Sequence, residues 1–131
     1  MEFIKTYLLS LVVFLGIDSI WLISMNKNFY GKHLAHLMSD KPNLLVALIF
    51  YLINIVGMIF LVINPALKEN SWNKLLLGAM IYGLCTYATY DLTNMATLKN
   101  WPAIVTVVDL IWGVTLTTTV CAVVFAVLRA R

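Results

Sequence analysis

The run FIKTYLLSLVVFLGIDSIWLISM, residues 3–25, decides the fold class of this chain. It contains only two charged side chains, Lys5 and Asp18, and it exceeds the ~20 apolar residues that a helix needs to cross a ~30 Å hydrocarbon core. Because lipid offers the backbone no hydrogen-bond partner, such a segment crosses as a helix. It is longer than the ~7–15 apolar residues of a signal peptide, and no cleavage site follows, so we interpret it as a retained first span.

Three further runs have the same character. They cover about residues 44–63, 75–98 and 102–128, and the first of them is followed directly by Asn64-Pro65. The chain of 131 residues is 62% hydrophobic and 11% charged, whereas soluble domains are about 25% charged. We therefore predict an all-α fold: an integral membrane four-helix bundle that forms one domain over residues 1–131. Because the later connections are short, sequential neighbours are expected to be antiparallel.

The connector between the first two spans, residues 26–43, is the longest. The spacing of Leu34, Leu37 and Met38 fits one face of a short helix at the membrane interface, although we favour an ordinary amphipathic connector. With four spans both termini lie on one side of the membrane, here called the terminal side. It holds five basic residues against four on the opposite side, which favours cytoplasmic termini.

Three aspartates lie inside predicted spans, and they lie at one depth. Asp18, Asp91 and Asp109 are each seven residues from the opposite-side end of their helix, which corresponds to ~10 Å at the helical rise. Tyr51 in the second span lies at the same level. Because a charged side chain in lipid costs at least ~2.5–3.5 kcal/mol, we expect the three acids to face the single interior of the bundle.

No Lys, Arg or His lies deep in a span to neutralise these acids. Three neighbouring carboxylates cannot all be ionised, so at least one is expected to be protonated and to bond to Tyr, Asn or Thr. One interpretation is a polar network that only fixes helix packing. The other is a site for a proton, a metal ion or a polar substrate, which we favour because an asparagine or threonine would fix packing with less cost.

The candidate site follows from helical spacing. The first and fourth spans share the pattern D-x-I-W, which places each aspartate and its tryptophan on one helix face. In the third span Tyr87, Asp91 and Asn94 form a polar stripe. The residues predicted to bind a ligand or a proton are Asp18, Asp91, Asp109, Tyr51, Tyr90, Asn94, Asn54, Trp21 and Trp112.

Motifs for other chemistry are absent from the sequence. It has no zinc-protease, nucleotide-binding or serine-hydrolase pattern, and its scattered basic residues do not indicate nucleic-acid binding. His33 and His36, with Asp40 nearby, fall short of a metal site, so we predict neither a metal nor a cofactor. Cys85 and Cys121 are expected to be buried packing residues. An enzymatic activity stays open.

Four stretches form a recognisable pattern: GIDSIWL at 16–22, FY at 29–30, TYATYDLTNMATLKNWP at 86–102 and VVDLIWG at 107–113. Together they resemble the DUF2177 family of small four-helix bacterial membrane proteins. The resemblance covers essentially the whole chain. It implies a multi-pass protein of the bacterial inner membrane and assigns no reaction. It draws attention to Asp18, Trp21, Tyr90, Asp91, Thr93, Asn94, Trp101, Pro102, Asp109, Trp112 and Gly113.

Together these observations favour translocation of a small solute or ion, coupled to protonation of the three aspartates. The expected partners are the lipid bilayer and a small polar solute or a proton. Four helices are few for a transport path, so a homodimer is expected under this hypothesis. Two alternatives remain: a membrane-embedded enzyme that acts on a lipid or lipid-linked substrate, and a non-catalytic subunit that assembles or stabilises a membrane complex.

Overall fold

The computed structural model describes residues 2–38 and 43–130, and within these ranges the chain is helical, without strands. The helices are α1 (Glu2–Met25), α2 (Gly31–His33), α3 (Leu44–Met58), α4 (Asn64–Glu69), α5 (Trp72–Thr97) and α6 (Ala103–Arg129). Two π-helical segments, Asn26–Tyr30 and Ile59–Ile63, join α1 to α2 and α3 to α4.

The helices combine into four candidate membrane spans. These are Phe3–His33, Leu44–Glu69, Trp72–Thr97 and Ala103–Arg129, here called the first to fourth span. Each is long and apolar enough to cross a bilayer by length and composition. The predicted all-α membrane bundle is thereby confirmed.

The outer surface of the bundle is apolar, and several polar side chains lie inside. Val12, Ile23 and Leu44 are 67%, 80% and 74% exposed. The fully buried core includes Phe14 and Phe125, and the buried polar residues include all three aspartates of the spans. This distribution suits a hydrocarbon solvent, because exposed apolar side chains then face lipid and polar groups must find partners within the protein.

The third and fourth spans form the closest helix pair, and they run antiparallel. Trp72 packs against Phe125 at the terminal side, while Tyr90 packs against Trp101 near the other end. Between these ends the backbones approach at Gly83, where an added Cβ would lie 2.5 Å from the carbonyl oxygen of Gly113. The glycines therefore permit the close approach that fixes this pair.

The first span is longer than predicted. Helical structure continues beyond Met25 through the π-helical segment Asn26–Tyr30 and α2, and ends in a turn at Leu34. The predicted connector therefore begins as a continuation of the first span, because the π-helical turn keeps the backbone hydrogen-bonded where we placed a helix end. Two residues used in the sequence analysis lie outside the described residues: Asp40, considered with His33 and His36 for a metal site, and Lys41, one of the four basic residues counted on the opposite side.

The second span also passes its predicted end at Asn64-Pro65. Pro65 lies in the first turn of α4, directly after the π-helical segment Ile59–Ile63. The N–H groups at the start of a helical segment have no regular hydrogen-bond partner, so a proline there removes no hydrogen bond. The span can therefore continue past Pro65 to Glu69. It ends at Asn70, which adopts a left-handed conformation with φ of 49°.

The two cysteines have different surroundings. Cys121 is fully buried, as expected, but Cys85 is exposed on the surface of the third span. The prediction for Cys85 was wrong because hydropathy identifies an apolar segment without distinguishing its lipid-facing side from its protein-facing side.

Candidate functional site

Two of the three aspartates line one cavity of about 320 Å³. Asp18 comes from the first span and Asp109 from the fourth, and both are more than nine-tenths buried. Most of the remaining wall is aromatic. The other lining residues are Trp21, Leu22, Tyr30, Phe50, Tyr51, Thr86, Tyr87, Tyr90 and Trp112.

Asp18 is held by donors from two other spans. The Tyr51 hydroxyl donates to Asp18 Oδ2 over 2.6 Å, and Trp112 Nε1 donates to Oδ1 over 3.2 Å. Both donors are neutral, so Asp18 is hydrogen-bonded without an opposite charge to neutralise it. The second and fourth spans are thereby joined to the first at this carboxyl group.

Asp109 receives its donor from the end of the first span. The Tyr30 hydroxyl donates to Asp109 Oδ1 and accepts a 3.1 Å hydrogen bond from Trp21 Nε1. Trp21 in turn stacks on Trp112, with ring centroids 4.2 Å apart and planes inclined by 8°. The two D-x-I-W patterns thus meet face to face, and their tryptophans form one wall of the cavity.

Asp91 lies behind the cavity and has no exposed surface. Neither carboxyl oxygen accepts a hydrogen bond from a donor within the described parts of the chain. Its side chain interacts with that of Asp109. Because a contact between two carboxyl groups is a hydrogen bond only when one of them carries a proton, this pair is suited to hold a proton between the third and fourth spans.

Local features of the sequence orient the aromatic walls. An added Cβ at Gly113 would lie 2.3 Å from Cγ of Tyr87, so the absence of a side chain there lets Tyr87 occupy the site. At Gly31 an added Cβ would lie 2.7 Å from the Asn26 carbonyl oxygen. This glycine therefore permits the π-helical turn that directs Tyr30 back toward Asp109.

The cavity opens sideways. Leu22 and Phe50, at its margin, are 44% and 50% exposed on the apolar surface. Phe50 and Thr86 also line an apolar groove of about 930 Å³ between the second and third spans. The cavity and the groove therefore adjoin at two shared lining residues, and in a bilayer the apolar groove would face the hydrocarbon region.

Seven of the nine predicted site residues meet at or directly behind the cavity. Those that line it are Asp18, Asp109, Tyr51, Tyr90, Trp21 and Trp112, and Asp91 interacts electrostatically with Asp109. Asn54 instead lines the groove, where it accepts a 3.1 Å hydrogen bond from Tyr82. Asn94 does not line the cavity, and its side chain interacts with the Tyr90 phenol.

Sequence reasoning missed Tyr30 and did not include Tyr87 among the predicted site residues. Tyr30 was assigned to a connector, since a π-helical turn has no reliable sequence pattern. The helical spacing between Tyr87 and Asp91 was visible, and the nearby Gly113 could have indicated that an aromatic ring from the third span lies against the fourth.

We expect Tyr30→Phe to lower the free energy of unfolding by about 1–3 kcal/mol, because Asp109 loses its donor and Trp21 its acceptor in a buried setting. Thermal unfolding in detergent measures this change. Tyr90→Phe is the matched control, since Tyr90 is 59% exposed and loss of the interaction of its hydroxyl with Asn94 is expected to cost less than loss of a buried hydrogen bond. Equal stability of the two variants would contradict the role given to Tyr30.

No cluster of three or more His, Cys, Asp or Glu side chains that could hold a metal ion occurs within residues 2–38 and 43–130. His36 lies 3.0 Å from the Asn100 carbonyl oxygen, and His33 packs against Phe29. The contact of His36 links the chain after the first span to the loop between the third and fourth spans, and the contact of His33 lies within the end of the first span.

The family model described as "Predicted membrane protein (DUF2177)" matches residues 3–126. The chain therefore belongs to this family, as the resemblance indicated. No curated protein matches the chain. No solved structure matches it.

Proposed function

We propose that this member of a family of predicted membrane proteins translocates a small solute across the bacterial inner membrane in exchange for protons. One observation carries the proposal: a membrane-level cavity contains two carboxyl groups, is backed by a third, and has no Lys, Arg or His among its described lining residues. Ionisable groups inside spans commonly mark ion pathways and proton relays.

The proton chemistry follows from the arrangement of the acids. Ionisation of both Asp18 and Asp109 would place two negative charges in a largely apolar cavity, which is unfavourable without protons or a bound cation. The buried Asp91 extends the acidic group beyond the cavity wall. We infer that protons occupy this group when the cavity is empty and leave when a solute enters.

The proposed cycle requires two conformations. On the terminal side of the cavity, a core that includes Phe14, Met58 and Leu116 fills the interior of the described structure and separates the cavity from that side. Exchange of proton and solute would favour a second conformation that opens there, in the manner of alternating access. A ligand can drive such a change only if it binds the two conformations with different affinity.

The proposal includes a homodimer with cytoplasmic termini. A second copy could supply the helices that four spans lack for a complete path. Among the described residues the terminal side carries Lys5, Lys68, Lys74 and Arg129, whereas the opposite side carries Lys27, Lys32 and Lys99. The positive-inside rule favours cytoplasmic placement of the more basic side.

Reconstituted protein with an imposed pH gradient tests this function. Proteoliposomes are supplied with radiolabelled benzyltrimethylammonium, phenylmethanesulfonate or glucose, which represent a cationic, an anionic and a neutral solute. We expect the gradient to drive accumulation of one class above the level of protein-free liposomes, and a protonophore to abolish it. If no class accumulates, the transport proposal is wrong.

The sideways opening favours one second candidate, an enzyme that acts on a lipid-linked substrate. An acyl chain in the groove would reach the cavity at Phe50 and Thr86 and could place a headgroup beside Asp18 and Asp109. Lipid retained in stoichiometric amount through purification, together with failure of all three uptake assays, would favour this candidate over transport.

A further inference from the structure

We propose that the cavity binds a small organic cation, an amine or quaternary ammonium compound with an apolar part. This inference rests on the proposed function in assigning the ligand to the same site, and it adds the chemical class of the solute. Four features of the cavity support it: its charge, its hydrogen-bonding groups, its aromatic walls and its size.

The charge of the cavity is negative or neutral, never positive, within the described structure. Asp18 and Asp109 line it, and their donors are the phenols of Tyr30 and Tyr51 and the indole of Trp112. None of these donors carries a positive charge. A cationic ligand would neutralise a carboxylate, whereas an anionic ligand would add a charge of the same sign in an apolar setting.

The hydrogen-bonding groups disfavour a ligand that must accept hydrogen bonds. They suit the N–H groups of an amine, whereas a quaternary ammonium group, which has no N–H, would pair with the carboxylates through its charge alone. The hydroxyls of Tyr30 and Tyr51 already donate to the aspartates, and the Thr86 hydroxyl contacts the carbonyl oxygens of Tyr82 and Gly83. Most donors of the lining are therefore in use. Each carboxylate can accept about four hydrogen bonds, so Asp18 and Asp109 retain capacity for an ammonium group.

Aromatic faces complete the recognition of a cation. The stacked indoles of Trp21 and Trp112 form one wall, and tyrosines from the end of the first span and from the second and third spans surround the carboxyl groups. Aromatic rings attract cations through their quadrupole, and more strongly when water is excluded. The same rings, with Leu22 and Phe50, would bind the apolar part of the ligand.

The size and the proton balance agree with this ligand. A volume of about 320 Å³ lies at the small end of ligand pockets. When the cation enters, a protonated carboxyl group releases one proton and the carboxylate pairs with the cation. The net charge of the occupied cavity is then the same as that of the protonated empty cavity, which makes the two states exchangeable within a membrane.

Calorimetry on protein in nanodiscs tests the ligand class. The probes are benzyltrimethylammonium, its neutral isostere neopentylbenzene and the anion phenylmethanesulfonate, with empty nanodiscs subtracted. We expect binding of the cation at least about tenfold tighter than either other probe, stronger binding at higher pH, and release of about one proton per cation, detected by comparing buffers of different ionisation enthalpy. Tighter binding of the neutral or anionic probe would overturn the proposal.

Two variants locate the binding. Asp109→Asn is expected to weaken cation binding at least about tenfold and to reduce proton release. Glu69→Gln is the matched control, because Glu69 is exposed and pairs with Lys74 on the terminal side. Unchanged binding by Asp109→Asn would overturn the assignment. If that variant does not fold, Asp18→Asn replaces it, and the comparison of probes with the unmodified protein decides the ligand class by itself.

The two proposals fail separately. Gradient-driven accumulation of the anion or of glucose, without the cation, would leave transport standing and reject the organic cation. Cation binding with proton release, but without accumulation in proteoliposomes, would leave the ligand class standing and reject transport.

Discussion

Asp91→Asn protein is expected to lose gradient-driven uptake completely while it remains folded. Asp91 is fully buried, receives no hydrogen bond from a described donor and interacts with Asp109. The amide of asparagine has nearly the same size and can donate to Asp109 in place of a carboxyl proton. It cannot release that proton, so the pair would stay fixed in a state that resembles its protonated form.

The measurement is the initial rate of uptake into proteoliposomes under an imposed pH gradient, with the probe that accumulates in the unmodified protein. In parallel, infrared carboxyl bands are recorded across pH. They show whether a band that titrates in the unmodified protein is lost in Asp91→Asn. Glu69→Gln removes an exposed acid and should leave uptake unchanged. Full uptake by folded Asp91→Asn protein would remove Asp91 from the coupling mechanism.

The second large effect concerns the contact between the third and fourth spans. Gly83→Ala is expected to lower the free energy of unfolding by about 1–3 kcal/mol, the usual range for overpacking. The new Cβ would lie 2.5 Å from the Gly113 carbonyl oxygen and 2.9 Å from Cβ of Thr117. Because the first of these atoms belongs to the backbone, the helices must move apart rather than one side chain turning away.

Gly16→Ala provides the matched control. No atom lies within 4 Å of an added Cβ at Gly16, and alanine favours a helix over glycine by up to about 1 kcal/mol. This variant should therefore unfold at the same temperature as the unmodified protein or slightly higher. Thermal unfolding in detergent compares the two. A similar loss in both would mean that the close approach at Gly83 does not determine stability.

The sequence predicted the distance of Asp91 and Asp109 from their helix ends well because such a distance is a one-dimensional property, whereas the first span runs on to His33, well beyond the end from which Asp18 was counted. In the structure Asp91 lies six residues before the end of α5, and Asp109 lies six residues after the start of α6. Small errors in the helix ends move such a level by only ~1.5 Å per residue. The expectation that the acids face the interior also follows from local chemistry, because lipid exposure of a carboxyl group is costly.

The sequence predicted the neighbours of the acids less well. Asn54 was placed with them because it is polar and near the same level, yet it turns to the groove and bonds with Tyr82. Asn54 follows Tyr51 by three positions and so lies on the same side of the helix, yet Tyr51 meets Asp18 and Asn54 meets Tyr82. Which neighbour each side chain meets depends on how the helices rotate against each other. Spacing within one helix defines a common face but leaves open which partner that face meets.

Tyr30 shows the same limit at a helix end. The apolar run ends near Met25, and the polar residues after it are typical of a connector. In the folded chain a π-helical turn prolongs the span and brings the Tyr30 hydroxyl to Asp109, 79 positions away in the sequence. A hydrogen bond of this kind exists only once the first and fourth spans are packed together.

The amino-acid sequence by itself therefore determined that the chain is a helical membrane protein, how many spans it has, and how far Asp91 and Asp109 lie from their helix ends, since hydropathy and helical rise act along a single segment. Only the tertiary structure decided that Asp18 and Asp109 share an aromatic cavity, that Asp91 lies behind Asp109, and that the cavity opens toward the groove. The physical reason is that side-chain contacts between helices depend on their rotation and separation, which are set by packing among all four spans.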